Sequence, residues 1–500
     1  MTSSRLVARN TLLNVAGQVV PMIAAVLAIP ILISHLGAAR FGVLTLAWAA
    51  IGYFNLFDLG LGRALTQAVA VRLGKADPAG DLSAVAWTAL ALMLFLGAIG
   101  GLVLAGVAPW IVERGLNIPP ALQAESRAVF YLLAASLPFV VTTAGLRGLL
   151  EAHQEFGAVT ALRIPLALFT FIGPLAALPF STRLTPIVAL LVVGRVLTWA
   201  AHLVVCLRRH AYLRGEVDVR RDAVAPLLRF GGWMTLSNVV SPIMAYLDRF
   251  FIGAILPLAA VAHYVTPYEL VTKLLVLPQA LVIALFPAFA ATYERDRPRT
   301  ALLYERAQRV VLVVMFPMLL AVVLFAREGL TLWVGASFAA SSTAVLQWLA
   351  VGVFINGMAQ APFVVMQSTG RPDVVAKLHL AELPIYLAAL WWMSHRYGLV
   401  GVAMAWSLRS GVDAAALLLL AGHRLPGTAR GTTLALAAVL GLPLLLGAGA
   451  LLDDPIARGA FLAGALALFG VIGWTLVIPQ AQRAGLLAWV GVPRRGPTPD

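Results

Sequence analysis

The sequence predicts an all-α membrane protein that crosses the bilayer about 14 times, and three observations support this fold class. Of the 500 residues, 61% are hydrophobic and 12% are charged, whereas soluble domains have roughly 45–50% apolar and about 25% charged residues. The mean hydropathy is +0.91. The apolar runs are continuous and about as long as a membrane helix, and they do not show the short alternating strands of a membrane barrel.

The apolar runs follow one another with short connections, so no soluble domain is predicted. The candidate spans cover residues 11–33, 42–62, 83–108, 127–148, 158–178, 184–207, 232–254, 259–290, 308–326, 343–365, 376–394, 398–421, 432–452 and 459–479. The first segment lacks a small-residue cleavage site, so we expect a retained helix rather than a signal peptide. Cys206 is the only cysteine, so no intramolecular disulfide is expected.

Basic residues indicate the orientation of these spans. With the amino terminus in the cytoplasm, about 25 of the 36 Lys and Arg residues fall in cytoplasmic segments and about seven in outer loops. Membrane proteins concentrate Lys and Arg on the cytoplasmic side. The net charge of +14 is therefore explained by topology, and no nucleic-acid partner is needed. Both termini are predicted to be cytoplasmic.

The pattern of the first two spans recurs roughly 220 residues later. Asn14, Pro21 and a turn at Gly37 correspond to Asn238, Pro242 and a turn at Pro257. This predicts two six-helix lobes related as parallel repeats, which is a common plan in transporters with a site between the repeats. The predicted domains are residues 1–207, a basic cytoplasmic linker at 208–231, a second lobe at 232–425, and two extra helices with a cytoplasmic tail at 426–500.

Charged residues inside or near the spans are the main candidates for function, since a charge in hydrocarbon is costly and is expected to face protein, water or a ligand. Glu269 and Lys273 are four residues apart and share a helix face, as do Arg409 and Asp413. Each pair fits a self-neutralising contact as well as a functional one. The full set is Asp58, Arg195, Asp248, Arg249, Glu269, Lys273, Glu382, Arg409 and Asp413.

Two further positions suggest a polar cavity. Asp248 and Arg249 are consecutive, hence about 100° apart on a helix, so both cannot point at one partner. Asn14 and Gln18 lie on one face of the first span. Arginine forks match phosphate oxygens, so the basic residues together favour an anionic cargo. These are Arg195, Arg249, Lys273 and Arg409.

The sequence lacks the motifs of several other functional classes. No glycine-rich GK[ST] loop is present, and no Ser-His-Asp arrangement or acidic metal cluster stands out. The histidines fall mostly in loops or at span ends and lack metal-ligand spacing. We therefore predict a protein that is not an enzyme and that needs no cofactor or metal.

Three segments resemble the polysaccharide or O-antigen flippases, which belong to the multidrug/oligosaccharidyl-lipid/polysaccharide exporter superfamily. The opening carries Pro30, Leu36-Gly37, Phe41-Gly42 and the run FDLGL at 57–61. The segment FGGWMTLSNVVSPIMAYLDRFFIG, which contains Asp248 and Arg249, resembles the start of the family's second half. The segment RYGLVGVAMAWSLR at 396–409 is similar to its twelfth helix. The resemblance covers residues 10–425.

This resemblance implies a MATE-like, two-lobed core around a central cavity, here with two additional helices. The implied activity is flipping of undecaprenyl-pyrophosphate-linked oligosaccharide from the cytoplasmic to the periplasmic leaflet of the bacterial inner membrane. Arg249 is the position that the family motif assigns to substrate contact. Coupling to an ion gradient is also implied, and four acids are available for it: Asp58, Asp248, Glu269 and Asp413.

The resemblance also implies partners, and it leaves alternatives open. Expected partners are the lipid-linked oligosaccharide, membrane lipids, a polysaccharide polymerase and other assembly proteins. A cation-coupled multidrug-type exporter of the same fold is one alternative, and a peptidoglycan-precursor flippase is another. A membrane glycosyltransferase would need catalytic acids and a sizeable outer loop, which the sequence does not offer.

Overall fold

The computed structural model describes residues 4–54, 60–74, 79–222, 224–225, 247–293, 295–425, 427–452, 454–473 and 475. These residues form helices joined by short turns, without a strand among them. The helices are α1 Ser4–Tyr53, α2 Leu61–Gly74, α3 Ala79–Trp110, α4 Pro120–Ala152, α5 Phe156–Ala177, α6 Leu184–Arg209, α7 247–255, α8 Ala259–Thr272, α9 Val276–Thr292, α10 Arg297–Leu324, α11 Ala326–Val334, α12 Ala336–Ser368, α13 Pro372–Arg424, α14 Ala429–Ala450 and α15 Pro455–Ile472.

Two of the longest helices are each broken at a glycine. Gly37 in α1 has φ 74° and ψ 161°, and Gly398 in α13 has φ 58° and ψ −135°. Backbone conformations of this kind are strongly disfavoured for residues with a β-carbon, so a glycine is required at each break. Each broken helix therefore supplies two predicted spans, and the predicted turn at Gly37 is confirmed.

The described helices account for the predicted spans as follows. Ten helical stretches among the described residues are long and apolar enough to cross a membrane, and two of them contain the breaks at Gly37 and Gly398. The predicted eighth span corresponds to α8 and α9, which a short 3-10 turn at Lys273–Leu275 separates. The seventh span is described only from residue 247 onward.

Two short helices were not predicted. The second span was expected to continue to residue 62, but α1 ends at Tyr53 and a separate helix, α2, begins at Leu61 after Gly60, which has a φ of 71°. Helix α11 lies between α10 and α12, and Gly335 with a φ of 94° ends it. Both helices are shorter than a bilayer requires, so the search for long apolar runs missed them.

The chain forms two compact units, Met1–Thr266 and Pro267–Asp500. In the first unit, α4 packs against α3 and α6, and α5 packs against α1. Glycines permit the closest approach between α3 and α4, because a β-carbon at Gly97 would lie 2.7 Å from Pro138 Cα and one at Gly101 would lie 2.6 Å from the Ala134 carbonyl oxygen. Gly97 and Gly101 have the small-xxx-small spacing that predicts a close approach of two helices, and the structure confirms that contact.

In the second unit, α12 is central and packs against α9, α10, α11 and α13. The two extra helices belong to this unit, since α14 packs on α10 and α13 while Phe469 of α15 contacts Phe316 of α10 at a centroid distance of 4.6 Å. Arg458 at the start of α15 donates to Glu328 of α11 and to the Leu452 carbonyl. The predicted domain boundaries stay predictions, and the linker is described only at residues 208–222 and 224–225.

Candidate functional site

The predicted site residues fall on several helices. Arg195 lies in α6, Asp248 and Arg249 in α7, Glu269 in α8, Lys273 in the turn after it, and Arg409 and Asp413 in α13. Asn14 and Gln18 lie within α1, but their side chains are outside the description. Asp58 lies outside the described residues.

Asp248 is held inside the first unit by hydrogen bonds. Its side chain is fully buried. The Tyr264 hydroxyl of α8 donates to one carboxylate oxygen at 2.7 Å, and the Arg249 backbone N–H donates to the other at 2.8 Å. A buried carboxylate with such donors stabilises packing between α7 and α8. Arg249 is also buried, so the structure keeps both charges of the family motif inside the protein.

A substitution of Tyr264 tests the structural role of Asp248. Tyr264→Phe removes one donor from a buried carboxylate, so we expect a loss of about 1–3 kcal/mol of unfolding free energy. The measurement is thermal unfolding of the detergent-solubilised protein, with Tyr131→Phe as the control, since Tyr131 is exposed. Unchanged stability in Tyr264→Phe would contradict this role and would favour Asp248 as an ion-coupling residue.

Glu269 and Lys273 form an ion pair. Lys273 Nζ lies 3.1 Å from a Glu269 carboxylate oxygen, and both side chains are partly exposed. This is the contact that their four-residue spacing predicts on one helix face. Each charge therefore has a local counter-charge, and the pair alone gives no sign of a ligand.

Arg195 is different, because it lies near the middle of α6 without such a partner. The buried residues of α6 include Val188, Leu191 and His202, and at 100° per residue Arg195 lies on the same face. Leu197, which faces roughly the opposite way, is 64% exposed. Among the described residues, no side chain forms an ion pair or a hydrogen bond with Arg195, which is partly buried. A cation at mid-helix on an inward face suits an anionic ligand.

The predicted pair of Arg409 with Asp413 does not form. Instead, Asp413 Oδ1 lies 3.3 Å from His379 Nε2, and the Arg409 guanidinium lies over the Tyr386 ring at 5.7 Å. The reason is the break at Gly398, which brings the first half of α13 beside the second half. Contacts with the first half of α13 therefore replace the contact between Arg409 and Asp413, which lie one helical turn apart.

The first half of α13 thus adds His379, Glu382 and Tyr386 to the predicted Arg409 and Asp413, and we call these five residues the α13 cluster. Glu382 and Asp413 are buried. One ring nitrogen of His379 and one carboxylate oxygen each of Glu382 and Asp413 all lie within 4.8 Å of one another. Two ionised carboxylates at that distance repel by about 3 kcal/mol at an effective dielectric constant of about 20. Neither Glu382 oxygen has a hydrogen-bond partner among the described residues.

The sequence marks Glu382 as an intramembrane charge without indicating a role for it, and it places His379 near the end of a span. A usable signal was present, since residues 379, 382 and 386 have the spacing of one helix face. What the sequence did not show was which face of the next segment they meet. We assign no metal to the α13 cluster, because the Arg409 guanidinium supplies a positive charge beside Glu382 already.

Outside the membrane spans, a stack of aromatic rings joins the segments that follow α4 and α6 in the first unit. His153, after α4, stacks on His210, after α6, at a centroid distance of 3.8 Å, and Tyr212 extends the stack. Burial, together with the neighbouring His153, lowers the pKa of His210, and burial raises the pKa of Tyr212. The stack therefore favours the neutral form of His210, and acidification below the ordinary pKa of histidine is expected to weaken the stack.

Comparison with solved structures places this fold among known transporters. The lipid II flippase MurJ, in an inward closed conformation, matches with a TM-score of 0.70 and 12% identity over 93% of this chain and 99% of the other. An inward-facing multidrug resistance MATE family transporter of the MOP superfamily matches with a TM-score of 0.68 and 17% identity over 81% and 94%. At these identities the likeness concerns the fold alone, and it confirms the predicted all-α, two-lobed membrane fold.

Proteins related by sequence have higher identities to this chain than these structures do. The Shigella flexneri "Putative O-antigen transporter" is 29% identical over 420 residues, which is 81% of this chain and 95% of that protein. The Escherichia coli (strain K12) lipopolysaccharide biosynthesis protein WzxC is 24% identical over 277 residues, or 55% of each chain. The family model described as polysaccharide biosynthesis protein matches residues 7–293, more than half of the chain. This multi-pass membrane protein, which has a buried Asp248–Arg249 motif and carries Arg195 on the buried face of α6, belongs to the polysaccharide biosynthesis protein family.

Proposed function

We propose that the protein is a flippase that moves undecaprenyl-pyrophosphate-linked oligosaccharide from the cytoplasmic to the periplasmic leaflet for surface polysaccharide biosynthesis. The observation that carries the proposal is Arg195, a mid-helix cation on the inward face of α6 without an acidic partner among the described residues. The alignment with nearly the whole Shigella flexneri relative supports the same function.

The mechanism needs binding and movement, and it needs no covalent step. A pyrophosphate carries several anionic oxygens, and guanidinium groups bind such oxygens with two parallel hydrogen bonds. We propose that positive side chains at membrane depth hold the pyrophosphate while the two lobes alternate access between leaflets. The proposed contacts are Arg195, Arg249, Lys273 and Arg409, with Asn14 and Gln18 available for polar groups of the cargo. Ion coupling is proposed for one or more of Asp58, Asp248, Glu269 and Asp413.

We place the protein in the bacterial inner membrane with both termini in the cytoplasm. The excess of basic residues in alternate loops supports this orientation. A lipid-linked glycan delivered to the periplasmic leaflet must be polymerised or transferred there, so a polysaccharide polymerase and other assembly proteins are the partners proposed.

Two other transporters of this fold remain the competing functions. The structural likeness extends to a multidrug transporter and to a lipid II flippase at 17% and 12% identity, so it does not separate the three functions. Arg195, for which no described residue supplies an ion-pair partner, fits an anionic lipid better than a cationic drug, because like charges repel in a low-dielectric medium.

The test is deletion of the gene in its own host, followed by mass spectrometry of undecaprenyl-linked glycans and staining of surface polysaccharide. We expect lipid-linked oligosaccharide to accumulate and surface polysaccharide to disappear, with both restored by the wild-type gene. Normal surface polysaccharide in the deletion strain would overturn the proposal. Drug hypersensitivity alone would support the exporter, and accumulation of peptidoglycan precursor would support the other flippase.

A further inference from the structure

We propose that Glu382 and Asp413 form a proton-binding site inside the second unit, with His379 as the group that exchanges the proton with the surroundings. The site would make this protein a proton-binding transporter, and only its link to flipping rests on the function proposed above. Neither Glu382 nor His379 was among the acids and bases expected to couple transport to an ion.

Glu382 lacks a hydrogen-bond donor among the described residues. Glu382 is 4% exposed, and both of its carboxylate oxygens are buried without a hydrogen-bond partner among the described residues. A buried carboxylate without donors is costly when ionised, because it loses its hydration and gains no hydrogen bond in return. A bound proton removes that charge and also supplies the missing donor.

Asp413 lies close to Glu382. Its carboxylate comes from the other half of α13 and lies within 4.8 Å of a Glu382 oxygen. Two carboxylates this close in a buried place favour sharing a proton over ionising together. His379 lies 3.3 Å from Asp413 and keeps 22% of its side chain exposed. A partly exposed imidazole beside a buried acid is well placed to pass a proton.

The charge balance of the cluster favours a proton over a metal ion as the bound species. Two carboxylates and one guanidinium together leave one negative charge, and a single proton cancels it. A divalent ion would leave an excess positive charge in a buried place. A sodium ion would balance the charge, but it prefers oxygen ligands, whereas an imidazole nitrogen occupies one side of this cluster.

Among the described residues, the helices packed against α13 bring few further charges to the cluster. Helix α12, which makes the most extensive contact with α13, has no charged residue, and the charged residue of α14 is Arg430 in its first turn. Tyr268 of α8 contacts Trp406 of α13, and the charges near it, Glu269 and Lys273, pair with each other. The charges that act on Glu382 are therefore those of its own cluster, namely Asp413, Arg409 and His379.

The experiment is infrared difference spectroscopy of the purified full-length protein in nanodiscs, titrated between acidic and alkaline buffers in sodium or potassium. We expect a band from a protonated buried carboxyl that disappears as pH rises, is lost in Glu382→Gln and is shifted in Asp413→Asn. The control is Glu305→Gln, since Glu305 of α10 in the same unit is already paired with Arg309 at 2.7 Å. That substitution should leave the band unchanged.

Three outcomes would overturn the site: a Glu382→Gln spectrum identical to the wild type, a band that sodium removes at constant pH, or no titrating carboxyl band at all. His379→Gln gives an independent check, because it should slow hydrogen–deuterium exchange of the band without abolishing it. This readout needs no transport, so it stands apart from the flippase proposal. Measuring glycan export at several pH values then tests whether the site drives flipping. We expect export by Glu382→Gln to be independent of pH and export by Glu305→Gln to depend on pH.

Discussion

Arg195→Met should abolish most glycan export while the folded protein remains at normal abundance. Methionine keeps the length and apolar stem of the side chain, but it removes the charge and every donor. A hydrogen bond to a charged group contributes about 1.5–3 kcal/mol, and 1.4 kcal/mol corresponds to a tenfold change in binding. The substitution should therefore weaken binding of a pyrophosphate roughly ten- to a hundredfold.

Arg195→Met should not lower the thermal stability of the protein, although it lowers glycan export. An arginine at the middle of a membrane span costs about 2.5–3.5 kcal/mol relative to an apolar residue on insertion scales, and no described side chain compensates Arg195 with an ion pair. Arg195→Met is thus expected to leave the thermal unfolding temperature unchanged or raised. Loss of activity together with retained stability is the pattern of a residue kept for function.

The measurement combines surface polysaccharide, protein abundance and thermal unfolding in the deletion strain carrying each variant. Arg163→Met is the matched control, because Arg163 lies on the neighbouring helix α5 and is exposed, and it should retain export. Arg195→Lys should keep part of the activity, since lysine restores the charge without the fork. Full export by Arg195→Met at normal abundance would remove Arg195 from the substrate path.

The sequence allowed the fold to be predicted where one residue determines one feature. Long apolar runs located the spans, and the turn predicted at Gly37 is where the first long helix breaks. The break at Gly398 falls at the boundary between two predicted spans, although no turn was predicted at that glycine. The spacing of Gly97 and Gly101 predicted a close helix contact, and the structure places both against the backbone of α4. Such features depend on local chemistry, so a single sequence is enough to find them.

The site was harder to predict because its contacts join different segments. Helix spacing predicts an Arg409–Asp413 pair, but a partner from the first half of α13, His379, lies closer to the acid. Asp248 meets a tyrosine that is 16 residues away on the next helix. Spacing on one helix identifies which residues share a face, whereas the partner opposite that face depends on the tertiary packing of the segments.

Gly42 shows how a motif residue can be explained by packing, and its substitution should have the largest effect on folding. A β-carbon at Gly42 would lie 2.5 Å from the Leu258 carbonyl oxygen, so the second half of α1 approaches the turn between α7 and α8 at the backbone itself. Gly42→Ala should destabilise the first unit by about 1–3 kcal/mol through overpacking, and Gly42→Val by more.

Thermal unfolding and abundance of the full-length protein measure this effect, with Gly106→Ala as the control. A β-carbon at Gly106 in α3 would meet no atom within 4 Å, and alanine is the better helix former by about 1 kcal/mol, so that variant should be as stable as the wild type or more so. The glycine of the Phe41-Gly42 motif is then required by a backbone contact and not by the cargo. Normal stability of Gly42→Ala combined with lost export would contradict this explanation, because it would move the requirement from packing to transport.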